Sequence, residues 1–322
     1  MTNEITVVLV GIGGYGHNYV SALLDAPPAQ EAKKPGFLEK PGFSAARIVG
    51  AVDPSPERCT RLADVQARGI PICSSLEQFY ASARADLAVI STPIHLHGPQ
   101  TCLALSHGSH VLCEKPLGAT VEQAGEMIRA RDRAGKVAAI GYQWSFAPTI
   151  LALKADAMAG KLGRPRRLKT LVLAPRDEKY YGRSRWAGAK QDASGLWVLD
   201  SPVNNAAAHS VHNMFFVMGE RVDRSAWPVR VTAELYRAHP IQNYDTAMLR
   251  AQADNGAEVF FAVSHAVQQA RGPVFSYEFE HGVVQYGEET SRRVVARFKD
   301  GSVKDYGSPD AERIRKLWAT MD

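Results

Sequence analysis

In SPVNNAAAHSVHN, residues 201–213, Asn205, His209 and His212 stand four and three residues apart. On an α-helix that spacing puts the three side chains on one stripe. Ser201 followed by Pro202 predicts the helix start, as N-cap and first-turn residue. An imidazole with an ordinary pKa of about 6.5 carries protons near neutral pH. A carboxamide hydrogen-bonds a hydroxyl in either sense. The stripe therefore reads as the wall of a substrate site rather than a solvated helix face. Asn204, Asn205, His209 and His212 are the expected contacts, joined by Tyr181 and Trp186 from the loop before them. A His209–His212 metal pair lacks a third ligand at suitable spacing, so no metal is expected.

A second cluster opens the chain. GIGGYG sets Gly11, Gly13 and Gly16 in a G-x-G-x-x-G turn directly after the apolar run ITVVLVG. Gly11 permits the turn, Gly13 lets backbone approach a pyrophosphate, and Gly16 lets helix and strand pack closely. Ile12, Gly14 and Tyr15 complete the cofactor-binding segment, whose N–H groups are to hold phosphates. Asp53 ends the second predicted strand, where a carboxylate accepts hydrogen bonds from ribose hydroxyls and repels a 2′-phosphate. NAD is the expected cofactor. Arg58, one turn further on, leaves NADP open.

These groups need a frame. Predicted strands at 5–11, 46–53, 70–73, 86–92, 110–115 and 136–143 alternate with helices at 15–25, 55–69, 97–106 and 120–134. That alternation implies a right-handed parallel sheet covered on both faces. The Pro-, Lys- and Gly-rich stretch 26–43 reads as a surface insertion, which accounts for the long spacing from the glycines to Asp53. After a helix at 149–159 the pattern changes to strands joined by tight turns, with Asn255-Gly256 and Asp300-Gly301 as hairpin signals. The fold class is thus α/β, a Rossmann dinucleotide-binding domain over 1–146. An α+β domain over 147–322 follows, with a large, mostly antiparallel open sheet.

Composition narrows the partners. The 322 residues are 45% apolar and 22% charged with a formal charge of +5, as in a globular chain with a sizeable core. Basic residues cluster at Arg164, Arg166, Arg167 and Lys169, and at Arg176, Lys179, Arg183 and Arg185. Without interleaved aromatic motifs they read as solvated edges, and no nucleic-acid partner is expected. No apolar run reaches the roughly 20 residues of a membrane span. Cys59, Cys73, Cys102 and Cys113 show no paired spacing, which fits free thiols in a reducing cytoplasm. An open sheet with one uncovered face points to a homodimer or homotetramer.

At STPIHLH (91–97) and CEKPLG (113–118) the chain resembles the Gfo/Idh/MocA oxidoreductases. Gly11–Gly16, Asp53, Thr92, Pro93, His97, Glu114-Lys115-Pro116 and the strand ending in GYQ follow that family's order. The resemblance implies hydride transfer between NAD or NADP and a secondary alcohol or ketone of a sugar, cyclitol or related polyol. It implies that Lys115 touches substrate and nicotinamide ribose, with a proline after it that is often cis. Lys115 ends a strand at the carboxyl edge of the sheet, where its ammonium is placed to stabilise a developing alkoxide. Glu114 is to order the ribose or Lys115 itself. His97 is either a residue near the nicotinamide or an ordinary helix-start residue. Gln143 and Trp144 fall where relatives carry a basic residue after the glutamine, and Trp144 offers an apolar platform for a ring.

The family's Asp-x-x-x-His-x-x-Asp helix aligns with Asn205, His209 and His212. Asn205 cannot take a proton, so proton transfer rests on His209 or on Lys115, while Asn205 orients the substrate. Asp200-Ser201 replaces a glycine pair, so Asp200 is placed to project into the site. Two alternatives stay open: a redox-neutral enzyme that retains NAD for epimerisation or glycoside cleavage, and a dinucleotide sensor without turnover.

Overall fold

The computed structural model describes residues 4–26, 45–309 and 314–321. Backbone contacts divide the chain into two units, Met1–Gly141 with Ile314–Asp322, and Tyr142–Arg313. The predicted insertion at 26–43 lies, apart from its first residue, outside the described residues.

The first unit contains six parallel strands, β1 (Glu4–Val10), β2 (Ala45–Val52), β3 (Ile72–Cys73), β4 (Leu87–Ile90), β5 (His110–Cys113) and β6 (Ala138–Ile140), in the order β3-β2-β1-β4-β5-β6. Val7, Val8, Leu9 and Val10 are all buried, as are Leu87, Ala88, Val89 and Ile90. Continuous apolar runs are required because helices cover both faces. These are α1 (His17–Leu24), α2 (Leu62–Ala67), α3 (Leu76–Ser82), α4 (Ile94–Ser106) and α5 (Val121–Ala134). Tyr19, Val20 and Leu23 fill one core, and Phe79, Tyr80 and Leu105 the other. The strand order reverses between β1 and β4, the switch point outside whose carboxyl ends such sheets bind ligands.

Some boundaries differ from expectation. The helix read from residue 55 is a 3-10 turn, Pro56–Arg58, then α2. Between them Cys59 is extended (φ −81°, ψ 117°) and buried in the core, which stops a continuous helix. Helix α4 begins at Ile94 with Pro93 at its N-cap, three residues before the expected start.

The second unit begins with α6 (Pro148–Met158), β7 (Pro165–Leu173) and α7 (Glu178–Gly182). A π-helical turn, Pro202–Ala206, leads into α8 (Ala208–Val217). Seven strands follow: β8 (Pro228–Tyr236), β9 (Thr246–Ala253), β10 (Glu258–Ser264), β11 (Arg271–Phe279), β12 (Gly282–Tyr286), β13 (Val294–Phe298) and β14 (Val303–Gly307). Asn255-Gly256 and Asp300-Gly301 turn the chain as expected, with Gly256 at φ +83° and Gly301 at φ +88°. The sheet is not a simple meander. Its order is β14-β13-β12-β11-β7-β10-β9-β8, and β7 runs parallel to β10 and antiparallel to β11. One face packs Phe261, Phe275 and Tyr277 against Ile150, Leu153, Met214 and Val217 of α6 and α8. The other is solvated. There Arg167 pairs with Glu258 at 3.0 Å, while Arg166, at the start of β7, pairs with Glu280 at 3.1 Å; these pairs account for much of the first basic cluster.

After the second unit the chain returns to the first as α9 (Arg315–Met321). Ile314, Leu317, Trp318 and Met321, at helical spacing, join the core that holds Ile12, Tyr19 and Val20. A division that runs the second domain to residue 322 therefore misplaces these last residues. No helix among the described residues is long and apolar enough to cross a membrane.

Candidate active site

The glycine turn is built for close approach. Gly11 has φ +81°, and a Cβ there would lie 2.6 Å from the Ser91 carbonyl oxygen. A Cβ on Gly16 would lie 1.9 Å from the Gly11 carbonyl oxygen. At Gly14 (φ +52°) a Cβ would meet nothing within 4 Å, so this side of the turn has room for a phosphate. Asp53 organises the same turn: its Oδ2 accepts from Ile12 N at 3.0 Å and Gly13 N at 3.2 Å, and its Oδ1 from Ser55 N at 2.9 Å. The Arg58 Cβ would lie 3.2 Å from a Cβ on Gly13. A tight left-handed turn, a close-packed helix start and an open flank fit a dinucleotide.

At the end of β5 the Lys115–Pro116 bond is cis. Glu114 is 7% exposed. Its Oε2 accepts from Lys115 N at 3.2 Å, and its Oε1 accepts from Tyr19 Oη and from Lys316 Nζ. Burial, reinforced by the Glu114 charge, pushes the Tyr19 phenol well up. Sequence reasoning missed Tyr19 and Lys316. No local signal marked Lys316, which falls off the Ile314, Leu317, Trp318 and Met321 stripe of α9. His97 needs correction. It is 1% exposed, with Nδ1 2.6 Å from the Pro116 carbonyl oxygen and Nε2 2.8 Å from that of Thr92. Burial holds its pKa down. The ring braces two strand-end loops against each other and is closed to a nicotinamide. Thr92 itself donates to Gln100 Oε1 at 2.6 Å.

In the second unit the expected stripe is broken. Ser201 caps the π-turn by accepting from Asn204 N at 3.1 Å, so Asn205 lies in that turn while His209 and His212 lie on α8. Asn204 turns its amide to the Leu199 carbonyl at 3.3 Å. Asn205 Nδ2 donates to Asp200 Oδ1 at 2.7 Å, and Asp200 Oδ2 accepts from Gly188 N at 2.7 Å. Asp200 is 3% exposed. It supplies a carboxylate beside Asn205 rather than presenting one to a ligand. His212 stacks on Tyr142 with ring centroids 4.1 Å apart, and its Nδ1 lies 3.1 Å from Ser145 Oγ. Burial lowers its pKa to about 4, so it packs as a neutral ring. His209 is half-buried and meets Tyr142 edge-on at 6.1 Å.

Trp144 is a second correction. It is 4% exposed and packs against Phe275 and Tyr286, because the 3-10 turn Gln143–Phe146 directs it into the core. It offers no platform for a ring. Tyr181 donates to or accepts from His265 Nδ1 at 2.9 Å and lines a cleft of about 590 Å³ with Arg185, Arg237 and His239. Trp186 does not line that cleft; Arg183 lies over its ring at 5.2 Å. No group of three or more His, Cys, Asp or Glu among the described residues is placed to hold a metal ion.

The Asp200–Asn205 pair yields a testable outcome. With Asn205→Asp, two carboxylates would face each other, and one would bind a proton in the folded state. The pair's folded pKa would rise above its unfolded value, so stability would be lost as pH rises through it. A deficit on the order of 1–3 kcal/mol is expected at pH 8, shrinking toward pH 5. Thermal melts at the two values check this, and an equal deficit at both would contradict it.

A switch-point sheet whose first turn suits phosphates, joined to a second α+β unit, defines a two-unit dinucleotide-binding protein. Residues 5–142 match the Gfo/Idh/MocA profile, described as an oxidoreductase family with NAD-binding Rossmann fold. It is 30% identical over 166 residues to 1,5-anhydro-D-fructose reductase of Ensifer adhaerens, covering 51% of this chain and 48% of that one. With inositol 2-dehydrogenase 1 of Mycolicibacterium vanbaalenii it shares 29% over 164 residues, 51% of this chain and 43% of the other. The chain thus spans about half the length of these curated relatives. The crystal structure of the WlbA dehydrogenase from Bordetella pertussis, in complex with NADH and UDP-GlcNAcA, superposes with a TM-score of 0.75. That match has 24% identity and covers 100% of this chain and 84% of that one, a likeness of fold.

Proposed function

We propose that the protein is an NAD(P)-dependent oxidoreductase that moves a hydride between nicotinamide and a secondary alcohol or ketone of a sugar, cyclitol or related polyol. The observation that carries the reading is the Glu114-Lys115-Pro116 turn at the carboxyl end of β5, with the buried Glu114 holding the Lys115 backbone, on the same sheet edge as a glycine turn suited to phosphates. The names of the relatives, a sugar-derivative reductase and an inositol dehydrogenase, support the substrate class.

Bound NAD would supply the hydride-accepting ring; the protein supplies position, charge and proton transfer. The turn from Gly11 to Gly16 holds the diphosphate, and Asp53 beside it disfavours a 2′-phosphate, so NAD is preferred over NADP. Lys115 presents its ammonium to the substrate oxygen and stabilises the charge that develops there. His209, or Lys115 itself, takes the hydroxyl proton. Asn205, polarised by Asp200, orients the hydroxyl. The Tyr181 cleft accommodates part of the substrate. We further propose a cytoplasmic location, supported by four free cysteines. A homodimer or homotetramer is supported by the exposed apolar residues Val229, Val231 and Leu235 on edge strand β8.

A panel of polyols and sugars is to be assayed with NAD and with NADP by the absorbance of the reduced cofactor. NAD-dependent oxidation of at least one cyclic polyol is the expected result. Tight NADH binding without turnover of any member would overturn the reading and leave a sensor.

A further inference from the structure

We infer that Lys316 is a positioning residue for the Lys115 site, acting through Glu114. The inference rests on the dehydrogenase reading above and extends it to a helix that lies some 200 positions along the chain from β5.

The ammonium of Lys316 is 1% exposed. It donates to Glu114 Oε1, lies 3.3 Å from Tyr15 Oη and 3.4 Å from the Gly141 carbonyl oxygen. It also stands 4.7 Å from the Tyr15 ring centroid. One cation thereby joins three chain segments at the carboxyl edge of the sheet: the glycine turn after β1, the turn after β5 and the end of β6. The other oxygen of Glu114 holds Lys115 N at 3.2 Å. A Cβ on Gly141 would lie 3.1 Å from the Glu114 carboxyl atoms, so a glycine there lets the carboxylate lie flat against the backbone.

Burying a charged pair gains little stability over apolar residues of the same size. What the pair adds is direction. Lys316 fixes the Glu114 carboxyl group in a dry site, and Glu114 so held anchors the backbone that aims Lys115. Tyr19, donating to the same oxygen, completes the anchor.

The test compares the full-length wild type with Lys316→Met, Glu114→Gln and the double variant. Turnover of the best substrate is read as kcat and KM, and NADH affinity by fluorescence titration. Lys316→Met is expected to lower kcat by about 10- to 100-fold through misplacement of the reacting group, with KM for the polyol changed far less. If Lys316 acts through Glu114, the double variant loses no more than Glu114→Gln alone. Losses that multiply would overturn the inference, as would wild-type kcat in Lys316→Met. Should either single variant fail to fold with one charge uncompensated, the double variant removes both charges. It is then expected to fold, to turn over at least about tenfold slower and to bind NADH more weakly than wild type. Wild-type kinetics in the double variant would overturn the inference. If the wild type binds NADH and turns over nothing, the dehydrogenase reading fails, while weaker NADH binding in the variants still reads Lys316 by itself. Absence of NADH binding in the wild type would overturn both.

Discussion

Lys115→Met is expected to lower kcat for polyol oxidation by about 100- to 10,000-fold, the range of a lost proton-transfer or charge-stabilising group. Methionine keeps the length and apolar stem of the side chain and removes its charge. On the proposed mechanism nothing then balances the alkoxide as hydride departs, so the loss falls on the transition state and appears in kcat. NADH affinity is expected to stay within about threefold, because the proposed diphosphate contacts are backbone groups of the glycine turn. Steady-state kinetics and fluorescence titration on one preparation separate the two effects. A variant that turns over at the wild-type rate would remove Lys115 from the mechanism. In that event the proton would pass through His209 unaided.

Gly16→Ala is expected to have the next largest effect, and for a steric reason. The added methyl would lie 1.9 Å from the Gly11 carbonyl oxygen, well inside any contact distance. Both partners belong to one short turn, so relief requires α1 to move away from β1. A loss on the order of 3 kcal/mol is expected from such overpacking. The same shift would spread the turn and weaken NADH binding by at least about tenfold, because the backbone proposed to hold the diphosphate would move. Gly14→Ala is the contrasting variant. Its methyl would meet nothing within 4 Å, so the folding cost is only that of a left-handed residue, roughly 1–2 kcal/mol. Melting temperatures and NADH titrations of the pair distinguish a packing effect from a phosphate effect. A Gly16→Ala protein with wild-type melting and binding would contradict this account of the turn.

The elements that the sequence made legible are those decided by near neighbours. Gly11 to Gly16 were readable because a left-handed turn and a close helix crossing exclude other residues within a few positions. Asn255-Gly256 and Asp300-Gly301 were readable for the same reason. The central strands of the first unit showed as apolar runs because they are covered on both faces. By contrast, β7 reads like any other strand of the second half, and its place between β10 and β11 depends on pairings almost a hundred residues apart.

The candidate site divides along the same line. Residue types and spacing singled out the dinucleotide turn as a candidate, and with the family resemblance the lysine at the end of β5 and the imidazole of His209, since each needs only a local frame to be noticed. Tertiary structure alone decided what their neighbours do. His97 and Trp144 look like ligand contacts in a linear reading, yet both are buried by partners distant in sequence. Asn205 looks like a lost carboxylate until Asp200 is found 2.7 Å away. Lys316 is one more surface lysine until α9 folds it against Glu114. The physical reason is that burial and charge pairing are properties of three-dimensional proximity, whereas backbone strain and hydrophobic period are written along the chain.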